Sequence, residues 1–490
     1  MEKYKEKNQR EQRASEYSRQ FCFFTCGKIL QSLVILLIVC TFTVGTFSVN
    51  SLSPSNTNSQ KTKQSLSRKE EKVLLPVSKP LSTKQEVVTL KNKEMELAEE
   101  LLKEFPSDDK SLTIMGNLYY RHGNAIEALK FWKKALKINP RQANIYMSMG
   151  WLALKKGEFD EAITLYKKAL EIQPNLPEVY SNIGHALIMS GRQSEAVAEL
   201  NKELRISPNS SFAYFLLGQA YLQLNEYEKA KKNYEIAVKI KPNYSNAYYG
   251  LATVCAKLGI NDKAKEYSAK FKKLKMEARK YLKGRKIEYD DFSETQKNAA
   301  ITYINVGRMY CDNGKFDKAE ELLKQAVGLD PNNIVSFLEL SSLYQANREY
   351  SKAIQMQKRI SEIQPNSHMC HFIIGILSAH LKRMDEAEQA FKKVITLAPK
   401  SSLGYRELAR FYLKIKKDLP QARQLAEKAV ALEPNAINYF VLAWACYENA
   451  DIVNAFPAVK RAIELDPGNS NYRLLYKMIQ QKDSRHGPYR

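Results

Sequence analysis

The sequence predicts an all-α solenoid of about ten helix-turn-helix repeats, preceded by an N-terminal transmembrane helix. Three observations carry this. Ten alanines (Ala128, Ala162, Ala196, Ala230, Ala264, Ala319, Ala353, Ala387, Ala422 and Ala455) recur at a step of 34 residues, stretched by 21 between Ala264 and Ala319 and shifted by one around Ala422. A fixed period of that length belongs to stacked repeats, not to a globular enzyme core. Glycines and prolines recur with the same period, and residues 29–49 form a charge-free apolar run long enough to cross a bilayer as a helix.

Taken in chain order, residues 1–28 form a basic N-terminal segment carrying Lys3, Lys5, Lys7, Arg10, Arg13, Arg19 and Lys28. The run 29–49 follows Lys28 directly. It reads as an uncleaved signal-anchor, because Val44-Gly45-Thr46 and Phe47-Ser48-Val49 supply no A-x-A cleavage site. Cleavage is the alternative, and would leave the array secreted. The next bases after the span are the more distant Lys61 and Lys63, so the N-terminus is placed in the cytosol and the repeats on the non-cytosolic side. Residues 50–91, with Ser51, Ser53, Pro54, Asn56 and Asn58 near their start, read as a flexible linker.

The repeat region divides into an N-terminal array, 92–278, made of a lone second helix at about 92–105 and five repeats. An insertion, 279–299, extends a basic helix. A C-terminal array of five repeats covers 300–469, and a capping helix and tail cover 470–490. The two flanking helices are expected to cap the stack, since terminal repeats need a polar outer face. Within each unit the landmarks have separate packing reasons. The first repeat reads Leu112, Met115-Gly116, Tyr119, Ala128, Trp132, Ala135, Pro140. Small residues allow two helices to cross closely, aromatics fill the space between pairs, and proline stops the second helix. Gly150, Gly184, Gly218, Gly307 and Gly375 hold the first close-crossing position, replaced by Ala252, Ser341, Ala409 and Ala443 elsewhere.

This pattern resembles the tetratricopeptide repeat (TPR) family, here in a membrane-anchored form, over roughly three quarters of the chain. The resemblance implies that the first helix of each pair lines a concave groove. On that basis the candidate partner-binding residues are Trp151, Phe212, Phe215, Tyr249, Ile304, Leu338, Phe372 and Trp444, an apolar set with His185, Arg308, Arg406 and Arg410 as polar exceptions. An apolar inner face of that extent points to a bound peptide or helix. The family's subset that grips acidic chaperone tails uses a lysine where Thr113 stands, although Asn117 fits, so a hydrophobic partner is expected instead. Membrane-tethered scaffolding of other proteins is the predicted function. A non-catalytic regulatory or assembly subunit of an enzyme complex is the alternative.

The fifth repeat departs from the pattern. Met276 replaces the stopping proline, so its second helix should continue to Gly284. Between Lys263 and Lys286 eleven bases face only Glu266 and Glu277, a net charge of +9. Lys270, Lys272, Lys273, Lys275, Arg279 and Lys280 form the candidate basic helix, with Tyr267, Phe271, Leu274, Ala278, Tyr281 and Leu282 as an apolar stripe. The reading ranks a solvated helix packed on the next repeat first, then binding of acidic protein or anionic lipid. Nucleic acid is disfavoured because the aromatics sit on the stripe and not among the bases. A bend or hinge is expected at the insertion.

The overall charge of +23 favours acidic partners without choosing one. Seven cysteines show no C-x-x-C spacing, and the cluster His368, Cys370 and His371 has no further ligand beside it. No nucleotide-binding glycine loop, H-E-x-x-H or nucleophile elbow occurs. No catalytic, metal or cofactor-binding residues are predicted, and the chain is read as a non-enzyme.

Overall fold

Many of the described helices end just before a proline or at a left-handed glycine, such as Gly157 at φ 84°. The structure, a computed structural model, describes residues 83–284 and 287–484; the expected membrane span at 29–49 and the expected linker as far as residue 82 lie outside them, while the last part of that linker, 83–91, is not loose but forms the start of a helix. The described residues hold 22 helices and no strand. None of these helices is long and apolar enough to cross a membrane.

A single helix, α1 (Thr83–Glu104), precedes five pairs: α2 (Asp109–Arg121) with α3 (Ala125–Ile138), α4 (Ala143–Lys156) with α5 (Phe159–Ile172), α6 (Val179–Met189) with α7 (Gln193–Ile206), α8 (Ser211–Gln223) with α9 (Tyr227–Ile240), and α10 (Ser245–Lys257) with α11 (Asn261–Gly284). Five more follow: α12 (Ile287–Asp312) with α13 (Phe316–Leu329), α14 (Ile334–Ala346) with α15 (Tyr350–Ile363), α16 (His368–His380) with α17 (Met384–Leu397), α18 (Ser402–Ile415) with α19 (Leu419–Leu432), and α20 (Ala436–Glu448) with α21 (Ile452–Leu465). The last helix is α22 (Ser470–Ser484). Residues just before the prolines are extended, as at Asn139 (φ −131°, ψ 97°) and Gln173 (φ −140°, ψ 93°), which is the backbone a following proline imposes. Side chains cap several helix starts; Asp108 accepts from the amides of Lys110 and Ser111. Lacking its proline, α11 runs unbroken through Met276 for 24 residues.

Within a pair, the close crossing joins residues 16 apart. A Cβ built on Gly116 would lie 2.5 Å from Trp132 Cδ1, and one on Gly375 would lie 2.6 Å from Phe391 Cε1. Real Cβ atoms do not approach so closely, so the bulk of one helix requires the bareness of the other. The seventh pair uses a polar version, with Gln357 Nε2 donating to Ser341 Oγ at 2.9 Å.

The two arrays are joined in a way the 34-residue step does not announce. Leu97, Ala98 and Leu101 of α1 share one buried core with Ile114, Met115 and Leu118 of α2 and with Ile304, Met309 and Tyr310 of α12. Helices α2 and α12 run antiparallel: Arg121 Nη1 donates to the Asn298 carbonyl at 2.5 Å at one end, and Lys110 pairs with Asp312 at 2.6 Å at the other. At the centre Glu94, 2% exposed, accepts from Arg121 Nη2 at 2.5 Å and Thr302 Oγ1 at 2.5 Å, and lies 3.3 Å from His122 Nε2. Burial alone would raise the Glu94 carboxyl pKa, but its bond to His122, the Arg121 charge and the Thr302 hydroxyl together hold it below the usual value.

Helix α1 occupies the place that a preceding second helix would take in front of α12. Tyr310 donates to Glu104 at 2.8 Å, just as Tyr344 donates to Glu320 and Tyr412 to Glu388, each at 2.8 Å. This departs from the expectation that α1 closes one end of a single stack and that the sixth repeat follows the fifth across a bend. The sixth repeat is seated on α1, and the arrays meet at their first repeats. Among the described residues, the core around α10, which takes in Tyr267 of α11, contains nothing from α12. The insertion therefore acts as a return path: α11 and α12, with 24 and 26 residues, are about 36 and 39 Å long at the α-helical rise.

Candidate functional site

The expected groove positions separate into two groups. In the first array they keep surface. Trp151 is half-buried with Lys155 Nζ 5.0 Å from its ring centroid, and Phe212 meets His185 edge-on at 6.3 Å. Phe215 is half-buried between Tyr244, at 4.9 Å, and Tyr234, at 6.0 Å. Tyr249 is 61% exposed and stacks obliquely on Phe271 of α11 at 5.4 Å.

In the second array Ile304, Leu338 and Phe372 are buried, the last two at 7% and 8% exposure. Ile304 and Phe372 belong to the large core that runs through α12 to α20. These side chains hold repeats together and present little surface. Trp444 is half-buried, beside Phe440 at 6.4 Å, and donates through Nε1 to Glu448 at 3.1 Å. The polar positions here are internally paired: Arg308 with Glu339 at 2.7 Å, and Arg406 and Arg410 with Glu407 at 2.8 and 3.1 Å. Apolar surface at the expected groove positions thus lies on α4, α8 and α10 of the first array and, in the second, on α20 through Trp444.

The positions compared with an acidic-tail clamp are engaged elsewhere. Asn117 accepts from Trp132 Nε1 at 3.0 Å, and the buried Thr113 donates to the Asp109 carbonyl at 2.7 Å.

On α11 the side chains of Lys270, Lys272, Lys273, Lys275 and Arg279 are exposed, and Met276 is 70% exposed. Lys280 lies in the helix, but its side chain is outside the described residues. Among the described residues, the stripe joins no core with the next repeat. It turns back on its own partner, with Tyr267 6.1 Å from Tyr248 and Phe271 against Tyr249, while Lys275 Nζ sits 4.8 Å above the Phe271 ring.

Ser268, which the sequence reading passed over, and Lys265 and Lys272, which it counted only as charges, set this helix apart. Ser268 stands where other second helices carry Trp132, Tyr166 or Tyr234, and Lys272 stands in a column otherwise held by residues such as Leu136, Leu170 and Val238. Lys265 occupies the position of Glu320 and Glu388, the acids that grip the following tyrosine. The packing registers the same break: nine of the ten column alanines are fully buried, and Ala264 is only half-buried. Comparing columns between repeats would have found it.

The remaining reactive groups lie in packing positions. Cys255, Cys370 and Cys446 are buried and unpaired, and burial pushes the thiols of Cys311 and Cys446 up to about 11. Cys370 donates to Ser367 at 3.3 Å. Among the described residues no three His, Cys, Asp or Glu side chains converge as metal ligands would.

Stacked helix pairs, closed by small-residue crossings and carrying aromatic surface on their first helices, define a helical-repeat protein. The chain belongs to the tetratricopeptide repeat family. Family models described as TPR repeat or tetratricopeptide repeat match residues 110–142, 152–191, 199–232, 218–259, 311–370, 370–401 and 416–470, together more than half of the sequence. No curated protein matches it significantly. Among solved structures, a crystal structure of MamA is 26% identical, covering 34% of this chain and 98% of its own, with a TM-score of 0.32. Yeast Tom70 is 15% identical over 79% of this chain and 97% of its own, at a TM-score of 0.33. The first TPR of Spaghetti (RPAP3), solved with an HSP90 peptide, is 27% identical over 24% of this chain and 93% of its own, at 0.24.

Proposed function

We propose that the chain is a membrane-tethered protein-interaction scaffold, whose first array binds an apolar peptide or helix along Trp151, Phe212, Phe215 and Tyr249. The reading rests on one observation: at these positions large aromatic side chains keep solvent-facing surface on a rigid frame, whereas Leu338 and Phe372 in the second array are consumed by packing. Rigid aromatics held partly open are the usual anchors of binding surfaces, because little side-chain freedom is lost on contact. The tether is the apolar run at 29–49, and the bases before it favour a cytosolic N-terminus with the repeats on the other side.

The test is site-specific photocrosslinking in the full-length chain. A photoreactive phenylalanine at position 212 should capture a defined protein, and Trp151→Ala should reduce that yield at least tenfold while the thermal melt stays unchanged. The same probe at the exposed Glu161, on a second helix, should capture nothing. Equal yields at positions 212 and 161 would sink the groove reading. Carbonate extraction with protease protection of intact cells reads the tether, and release of the chain by carbonate would overturn it.

A further inference from the structure

The uncovered end of the first array carries charge beyond what an end needs. The other terminal helix, α22, also closes a stack, and with Arg473, Lys477 and Lys482 against Asp483 it does so at a net +2. A cap requires polarity, not a single sign. Helix α11 instead carries nine bases against Asp262, Glu266 and Glu277, a net +6.

The placement of these charges is also informative. Lys265 takes the position from which Glu320 and Glu388 reach the following repeat, Lys272 stands in the column of Leu136, Leu170 and Val238, and both are exposed. Beside them Ala264 and Ser268 are small and half-buried, where nine other pairs bury the column alanine fully. This face adjoins the aromatic row of the first array, because Tyr249, the last residue of that row, stacks on Phe271 of α11.

We infer that the partner of the first-array groove carries an acidic helical stretch next to its apolar anchor, and that this stretch docks on the α11 end face between Lys265 and Lys272. The inference rests on the groove reading above. A second copy is disfavoured as occupant, since it would set one +6 helix against another. A flat lipid surface fits less well than a helix, because the Phe271 ring is turned onto Tyr249 and is not free to insert into it.

The experiment uses the full-length chain in detergent and fluorescent peptides of one design: a helix with a Leu/Phe stripe, followed by six glutamates or by six serines. The glutamate version should bind at least tenfold more tightly in low salt. That advantage should vanish in the Lys265→Glu, Lys272→Glu double variant, whose melt should match the wild type. No glutamate advantage, or an advantage that survives the reversal, overturns the inference. So does reversal-sensitive binding to phosphatidylglycerol vesicles without peptide binding, or a wild-type dimer in sedimentation that the reversal dissolves. Phe212→Ala separates the two ideas: if it leaves both peptides unaffected the groove reading falls, while the glutamate-dependent difference is still read independently.

Discussion

Tyr310 donates a hydrogen bond to Glu104, 206 residues earlier in the chain, with the geometry that Tyr344 and Glu320, or Tyr412 and Glu388, reach at a separation of 24. One acid-to-tyrosine link thus serves both as the local bond between consecutive repeats and as the bond that seats the second array on α1. Lys315 also reaches Glu104, as Lys417 reaches Glu388. Helix α11 carries Lys265 where Glu320 and Glu388 stand, so it holds no acid there for Tyr310, whereas α1 supplies Glu104.

The junction should fail when Glu94 is removed. Glu94→Ala leaves Arg121 partly buried without its carboxylate and should cost about 3–5 kcal/mol, the range for breaking a buried ion pair. Small-angle scattering should show a larger radius of gyration as the arrays part. Glu94→Leu combined with Arg121→Met should recover most of the stability, because no charge is left stranded. An unchanged melt in Glu94→Ala would remove the junction's assigned role.

Acid should weaken the fold through the same group. The carboxyls of Glu94 and Glu388 both titrate below their usual value in the folded chain. Bonds from Lys392 and Lys417 hold Glu388 down to about 2. A lowered folded value means that the unfolded chain binds protons first, so this stability is present above about pH 4.5 and is lost as the pH falls toward 2. Glu203 has the opposite sign: burial raises its carboxyl despite the bond from the Glu178 amide. Glu203→Gln should therefore raise the midpoint of thermal unfolding at pH 7 and lose that advantage by pH 4. Differential scanning calorimetry across pH 2–7 checks both.

Adding one methyl group at the crossings should rank by what it meets. Gly116→Ala and Gly375→Ala drive a Cβ into the rigid rings of Trp132 and Phe391, and should each cost about 1–3 kcal/mol, the usual range for overpacking. In Gly307→Ala the nearest atom is Leu323 Cγ at 3.1 Å, which a rotamer change can relieve, so the cost should be smaller. Chemical denaturation of the three variants should reproduce that order.

Restoring the missing proline should shorten α11. Met276→Pro places a ring inside a 24-residue helix, removes the bond to the Lys272 carbonyl, and should cost about 3 kcal/mol locally. Helicity by circular dichroism should fall by roughly the last two turns, while the melt of the first array stays in place.

Much of the fold was legible because its determinants are local. The alanine column, the Gly116–Trp132 type of crossing and the prolines act within one repeat, so their spacing announces the helix pairs and their order. The junction was not legible, since Glu94, Arg121 and Thr302 combine across two hundred residues, and nothing periodic links them. Met276 showed that α11 continues. Lys265, Ser268 and Lys272 also set it apart from the other second helices, but only to a comparison made down the columns. For the groove, residue type did not distinguish surface from filler: Phe212 and Phe372 are the same side chain at closely related places, and the packing of the neighbouring repeats decides which stays open.

The seat of α12 on α1 also sets a timetable for synthesis. Glu94 leaves the ribosome 208 residues ahead of Thr302, an interval of roughly ten to forty seconds at usual elongation rates. Throughout that wait the apolar side of α1 is only partly covered, by α2, and the first array can finish folding long before its companion arrives. The nascent chain is therefore most exposed to aggregation and to chaperones while repeats two to five are emerging, and that hazard ends when the sixth repeat closes over the oldest helix.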